Sequence, residues 1–214
     1  MHDSVCETIK SKSDMKKGTV RLLVAAAVVL AIFFWIKNSY NGLVTGEEGV
    51  KASWSQVENV YQRRADLIPN LVATVKGYAS HESETLENVV AARAKATQIT
   101  IDPEKLDANG IAKFQAAQGE LSQAIGRLMM LRESYPELKA NQNFLQHQGE
   151  ISDVENKLAA TRRFFNSATK ELNNGVQTFP AVLFAGMFGF HREPMFEVPA
   201  AERANYDKAP EVKF

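Results

Sequence analysis

The sequence predicts an all-α protein: an N-terminal transmembrane helix, then an antiparallel bundle of three long helices closed by a short apolar C-terminal segment. Three observations carry that prediction. Phe144, Ile151, Leu158, Phe165, Leu172 and Phe179 fall seven residues apart without exception. Six large apolar side chains on one heptad position lay a stripe down a long helix, and a stripe needs partner helices to cover it, as in a coiled coil. Trp54, Val57, Tyr61, Ile68, Leu71, Val75 and Tyr78 hold one face of an earlier helix in the same way. Gly18 to Ile36 is a run of nineteen residues whose single charge is Arg21.

Residues 1–17 are polar and carry Lys10, Lys12, Lys16 and Lys17, a composition that predicts disorder. Residues 18–37 form the span. A bilayer core needs about 20 apolar residues as helix, and Leu22, Leu30, Phe33 and Trp35 mark this one, with Trp35 and Tyr40 at the interfacial level that aromatics favour. A cleaved signal peptide is disfavoured, because the run ends in the bulky Ile32-Phe33-Phe34-Trp35-Ile36 and no Ala-x-Ala follows. Five basic residues precede or enter the span, and after it only Lys37 comes before Glu47 and Glu48. The positive-inside rule then places the N-terminus in the cytoplasm and the domain outside. The lone cysteine, Cys6, excludes an intrachain disulfide and falls on the reducing side.

The bundle is expected over residues 45–190. Thr45 and Glu48 make a capping box that opens or re-registers a helix. That helix is read as continuous to about Thr97, kinked at Pro69, because the apolar phase survives the proline. Asp102-Pro103-Glu104 predicts the next helix start, interrupted at Asn109-Gly110. Ile111, Phe114, Leu121, Ile125 and Leu128 then carry its apolar face to a stop before Tyr135-Pro136. The heptad helix runs from Pro136 to Phe179 and ends at Pro180. With three helices alternating in direction, Phe179 is expected at the end away from the membrane. The apolar stretch Phe179–Phe190, too short to span a bilayer, is then either a cap on the bundle or a contact surface. Its candidate residues are Phe179, Val182, Leu183, Phe184, Met187, Phe188 and Phe190. Residues 191–214 contain three prolines and read as loop or disorder.

Charge and motifs narrow the function classes. Lys+Arg and Asp+Glu number 25 each, so the chain lacks the basic excess that phosphate backbones require, and nucleic acid is excluded as a partner. His81-Glu82 opens like a zinc-protease helix, but Thr85 stands where the second histidine is needed, and no other metal set or cofactor motif is expected. Gly186–Gly189 lacks the strand and helix of a nucleotide loop. No Ser/His/Asp or Cys/His set is credible, so the reading is a non-enzyme. The remaining polar candidates are Arg63, Arg64, Asp66, Asn70, Glu82, Arg93, Glu155, Arg162 and Asn166. They are either solvated helix faces or an interhelical network, for example Glu155 with Arg64 or Arg162, that fixes register.

Two blocks give the chain a family likeness. Tyr40-Asn-Gly-Leu-Val44, Trp54-Ser-Gln56, the run QRRADLIPNLVATVKGYASHE from Gln62 to Glu82 and Ala91-Ala-Arg93 form the first. YPELKANQNF from Tyr135, Glu155-Asn156, Arg162-Arg163, Phe164-Phe-Asn166 and FPAVLFAGMFGF to Phe196-Glu197 form the second. Together they resemble the LemA family of bacterial membrane-anchored proteins, from the anchor to about Glu197. Val154 stands where that family usually has Thr. Phe165-Asn166 and Leu172-Asn173 stand where it usually has Tyr-Asn pairs, a departure that leaves the fold intact and counts against a tyrosine-dependent role. The resemblance implies a single-pass anchor in the bacterial cell (inner) membrane and an antiparallel helical bundle. A relative in magnetosome formation points to membrane organisation. The expectation is a scaffold or interaction protein of the envelope, held to lipid by its anchor, acting as a homo-oligomer or with an envelope protein partner. The alternative is an accessory subunit or enzyme with a polar site inside the bundle.

Overall fold

The computed structural model describes residues 2–197, with side chains from Thr19 onward. Five α-helices account for most of it: α1 (His2–Lys76), α2 (Ser83–Gln98), α3 (Ala108–Met130), α4 (Pro136–Lys139) and α5 (Gln142–Gln177), with 3-10 turns at Leu131–Glu133, Ala181–Leu183 and Ala185–Phe188. The all-α bundle is as expected. Its segmentation is not.

α1 is one helix of 75 residues. The polar residues 2–17, expected to lack order, continue it; extending an existing helix costs far less than starting one. Thr45 opens nothing: its Oγ1 donates to Asn41 O at 2.9 Å, one turn back within the same helix. Pro69 is carried without a break, with Ile68, Leu71 and Val75 buried on either side. The break comes at Gly77, not at Thr97. Glycine is a poor helix former, and beyond it the chain turns through Tyr78–Glu82, with Ala79 N donating back to Val75 O at 2.8 Å. α2 then runs back along the bundle.

α3 begins later than expected. Asp102 makes a local turn, its Oδ1 accepting from Glu104 N at 2.9 Å. Asp107 is the true cap, its Oδ1 accepting from Asn109 N and Gly110 N at 2.9 and 2.8 Å. Asn109-Gly110 therefore forms the first turn rather than an interruption. A Cβ at position 110 would lie 2.7 Å from Asp107 Oδ2, so a larger residue there would make the capping carboxylate shift. α4 and α5 split the heptad stretch at Asn141, whose Oδ1 caps α5 through Phe144 N at 2.9 Å.

Four directions now alternate where three were expected, and this moves the C-terminal segment to the other end. α1 leads away from the apolar span, α2 returns, α3 leads away, and α5 returns. At the far end Asn141 Nδ2 donates to Tyr78 OH at 2.7 Å, and Tyr135 OH donates to Glu82 Oε1 at 3.1 Å. At the near end Phe179 lies 5.7 Å, ring to ring, from Trp35, and Phe188 and Phe190 lie 5.2 and 5.5 Å from Tyr40. The helix count was short by one because the phase of α1's apolar face carries on past Gly77.

The core falls into two blocks. The near block packs Trp54, Val57 and Tyr61 against Phe114, Leu158, Phe165 and Leu172. The far block packs Ile68, Leu71 and Val75 against Leu121, Ile125, Phe144 and Ile151. Five members of the heptad stripe are thus buried. The sixth, Phe179, lies beyond the helix end and is exposed.

Candidate functional site

Between the two apolar blocks lies a polar layer built by residues of three helices. Arg64 follows Tyr61 by one turn of α1, Gln118 follows Phe114 on α3, and Glu155 sits between Ile151 and Leu158 on α5. Arg64 is wholly buried. Its Nη1 donates to Glu155 Oε1 and to Ser122 Oγ, both at 2.8 Å. Its Nη2 donates to Gln118 O at 3.1 Å and to Gln118 Oε1. Gln118 Nε2 passes the network on to Ala96 O of α2 at 3.3 Å, so all four directions of the bundle meet at this level. Burying a guanidinium is costly unless its donors are met; the layer engages both terminal nitrogens, while Nε has no partner among the described residues, and it admits one register among the helices.

A second cation completes the layer on the near side. Arg162 Nε donates to Tyr61 OH at 2.7 Å, as does its Nη2, and the guanidinium lies 5.3 Å from the Tyr61 ring and 5.6 Å from the Phe196 ring. Arg64 sits 5.2 Å from the same tyrosine. Burial pushes the Tyr61 hydroxyl's pKa up, only partly opposed by the two arginines, so the phenol stays neutral between them.

Arg93 serves a different group. Pro69 has no N–H, so the carbonyl four residues earlier, Ala65 O, loses its helical donor. Arg93 Nε of α2 supplies one at 2.7 Å. Arg93→Met should therefore cost about 1–2 kcal/mol and much less in a Pro69→Ala background, where the helix meets its own carbonyl. A double-mutant cycle of thermal melts measures the difference.

The other candidates lie apart. Arg63, Asp66 and Asn70 are exposed, with Asp66 accepting from Gln62 Nε2 at 2.8 Å. Glu82 pairs with Tyr135 at the far end. Asn166 belongs to a strap. Its Nδ2 donates to Phe196 O at 2.9 Å and its Oδ1 accepts from Phe196 N at 2.8 Å. One heptad on, Asn173 grips Glu193 O and N in the same way at 2.8 and 2.7 Å. Two asparagine side chains thus imitate a neighbouring strand and hold residues 193–196 extended along α5. Phe196 stacks on Trp54 at 5.7 Å and meets Phe165 edge-on at 5.4 Å. Residues 191–197, expected to be loose, are part of the core's cover; residues 198–214 lie outside the described part of the chain. Asn173→Ala breaks both bonds to residue 193 and should cost about 1–3 kcal/mol, detected as faster limited proteolysis after Phe190 with α-helical content unchanged.

Sequence reasoning missed Gln118, Ser122, Asn173 and Phe196. Gln118 was findable, as a polar residue in register with the apolar face of α3. The strap was not, since nothing in an extended segment's composition says which carboxamides will grip it.

The near end carries one further feature. Lys51 Nζ meets Glu104 at 2.7 Å, Glu48 at 3.2 Å and Glu47 at 3.3 Å, tying α1 to the loop before α3. Those carboxylates, Glu104 first, hold the lysine pKa above its ordinary value. Beside them a groove of about 590 Å³ opens between α1 and α5, its floor formed by Gly42, Gly46 and Gly49 and its wall by Phe164, Ser167 and Glu171. Among the described residues no group of His, Cys, Asp and Glu side chains could hold a metal ion. The chemistry of the polar layer is positional: each reactive-looking group is engaged by another side chain or by backbone.

A family model for the LemA family matches residues 53–214, which includes the polar layer, the strap and both core blocks. The chain belongs to the LemA family. It is 27% identical over 90% of its length to Magnetosome protein MamQ of Magnetospirillum gryphiswaldense, covering 78% of that protein. It is 24% identical over 84% of its length to Protein LemA of Metamycoplasma hominis, covering 79% of it, and 28% identical over 87% to Magnetosome protein MamQ 2 of Paramagnetospirillum magneticum, covering 76%. In this LemA-family chain the helix from Thr19 onward contains a window of mean hydropathy 2.4, none of it buried in the bundle, long and apolar enough to cross a membrane.

Proposed function

We propose that this protein is a single-pass, membrane-anchored helical scaffold that works by self-association at the membrane surface, with its N-terminus in the cytoplasm and its bundle outside. The observation that carries the reading is the unbroken α1: one helix passes from an apolar stretch that touches little of the bundle into the bundle's core. A span and a core that share a helix leave no joint, so the bundle's position is fixed relative to the bilayer. Arg64, Glu155 and Arg162 are engaged with one another's neighbours, which suits a register lock better than a reaction centre. Two of the relatives are named as magnetosome proteins, which supports a role at a membrane.

The groove beside the span supports self-association. Added Cβ atoms at Gly42 and Gly49 would meet nothing within 4 Å, so the surface is open to a second copy, with the exposed Phe164 on its rim. Light scattering of the full chain in detergent tests this. The expected result is a discrete assembly larger than a monomer, converted to monomer by Gly49→Leu with the melting temperature maintained or raised. A chain that is monomeric at every concentration overturns the scaffold reading. Cys6 should react with maleimide only from the cytoplasmic side, and labelling from outside reverses the orientation.

A further inference from the structure

The C-terminal apolar segment divides its side chains sharply. Ala181, Ala185 and Phe190 turn inward and join the near core block. Phe179, Leu183 and Met187 turn outward, 72%, 68% and 85% exposed, with Val182 and Phe188 beside them, each just over half exposed. Five large exposed apolar side chains within ten residues make a surface of a kind that monomeric soluble proteins seldom display without a use. The loop is built to hold them there. Two 3-10 turns keep it tight, and Gly189, at φ +85°, caps the second in a left-handed conformation that only glycine takes freely.

Its place decides what covers it. Phe179 touches Trp35 and Phe188 touches Tyr40, the two aromatics at the boundary of the apolar span. The outward side chains therefore stand at the level where α1 leaves the span. Lys37 on α1 and Arg192 just past the loop are both exposed at that end, where lipid phosphates at the membrane interface would meet them.

We infer that Phe179–Phe188 is a second membrane element: a wedge dipping into the interfacial layer of the leaflet that faces the bundle, its partner being the acyl and headgroup boundary of the lipid. The inference rests on α1 spanning the bilayer. An interfacial segment inserts only about 5–10 Å, a depth this loop reaches while its inner side chains stay packed on the bundle. With span and wedge together the bundle has two points of contact and a fixed tilt, and the wedge displaces lipid in one leaflet only.

The test uses the full chain in lipid nanodiscs containing a single copy, with Cys6→Ser. An environment-sensitive fluorophore is attached at Met187→Cys or Leu183→Cys, both too exposed for the label to disturb packing. Phe33→Cys in the span and Ser80→Cys at the far end serve as references. Shallow-doxyl lipids should quench the probes at 183 and 187, and deep-doxyl lipids should quench them less. Quenching at 33 and none at 183 and 187, with red-shifted emission like that at 80, overturns the wedge and leaves the anchor standing. Blue-shifted emission at 183 and 187 insensitive to doxyl lipid means that protein covers the patch, and overturns it equally. No quenching at 33 removes the anchor and the wedge together.

Discussion

Arg64→Met should destabilise the bundle by about 1–3 kcal/mol for each buried acceptor it leaves without a donor. The methionine fills the space of the arginine stem, so the effect is not a cavity. It comes from Gln118, buried on α3, which loses the donor to its carboxamide. Ser122 loses its donor as well. Glu155 behaves differently. Its side chain is 43% exposed, so water takes over much of what Arg64 gave it. Glu155→Gln keeps an acceptor in place and should cost only about 1 kcal/mol. The asymmetry is the prediction, measured by denaturant melts of the full chain in detergent. Equal losses from the two variants would mean that the ion pair, rather than the satisfaction of a buried guanidinium, governs the layer.

Phe165→Ala should cost about 3–5 kcal/mol. Phe165 is fully buried and meets Trp54 at 5.4 Å and Phe196 at 5.4 Å, both edge-on. Truncation removes the ring that holds α1, α5 and the strap at one point, and the strap should detach before the helices melt. Protease sensitivity after Phe190 should therefore rise at temperatures where the helical signal is still full. An unchanged melting temperature would mean the heptad stripe is not the core.

The heptads and the face of α1 were readable because each is periodic, and the apolar span because it is one continuous uncharged run. Gly77 was overlooked because the face it interrupts resumes in phase with Tyr78, and one missed turn reversed the end at which Phe179 falls. Asp107 lost to Asp102 as the helix cap because Pro103 is the stronger local signal for a helix start; the packing of Ile111 and Phe114 on α1 decides between them. Among the polar candidates Arg64, Glu155 and Arg162 do converge, while Arg63, Asp66 and Asn70 face solvent. Sequence spacing gave each its helix but not its angle to neighbours. The pairing of Arg93 with Ala65 could have been anticipated in half: Pro69 announces an orphaned carbonyl, though not which side chain will reach it.

The account turns on the near and far ends of the bundle being assigned correctly, with span and apolar loop together at one of them. Spin labels at Asn38→Cys and Met187→Cys, and in a second protein at Ser80→Cys and Met187→Cys, test this in the full chain with Cys6→Ser. The account predicts that 38 and 187 are close and that 80 and 187 are separated by roughly 55 Å, the rise of the helix between Tyr40 and Lys76 at 1.5 Å per residue. A long distance from 38 to 187 with a short one from 80 to 187 would put the loop at the far end and contradict it.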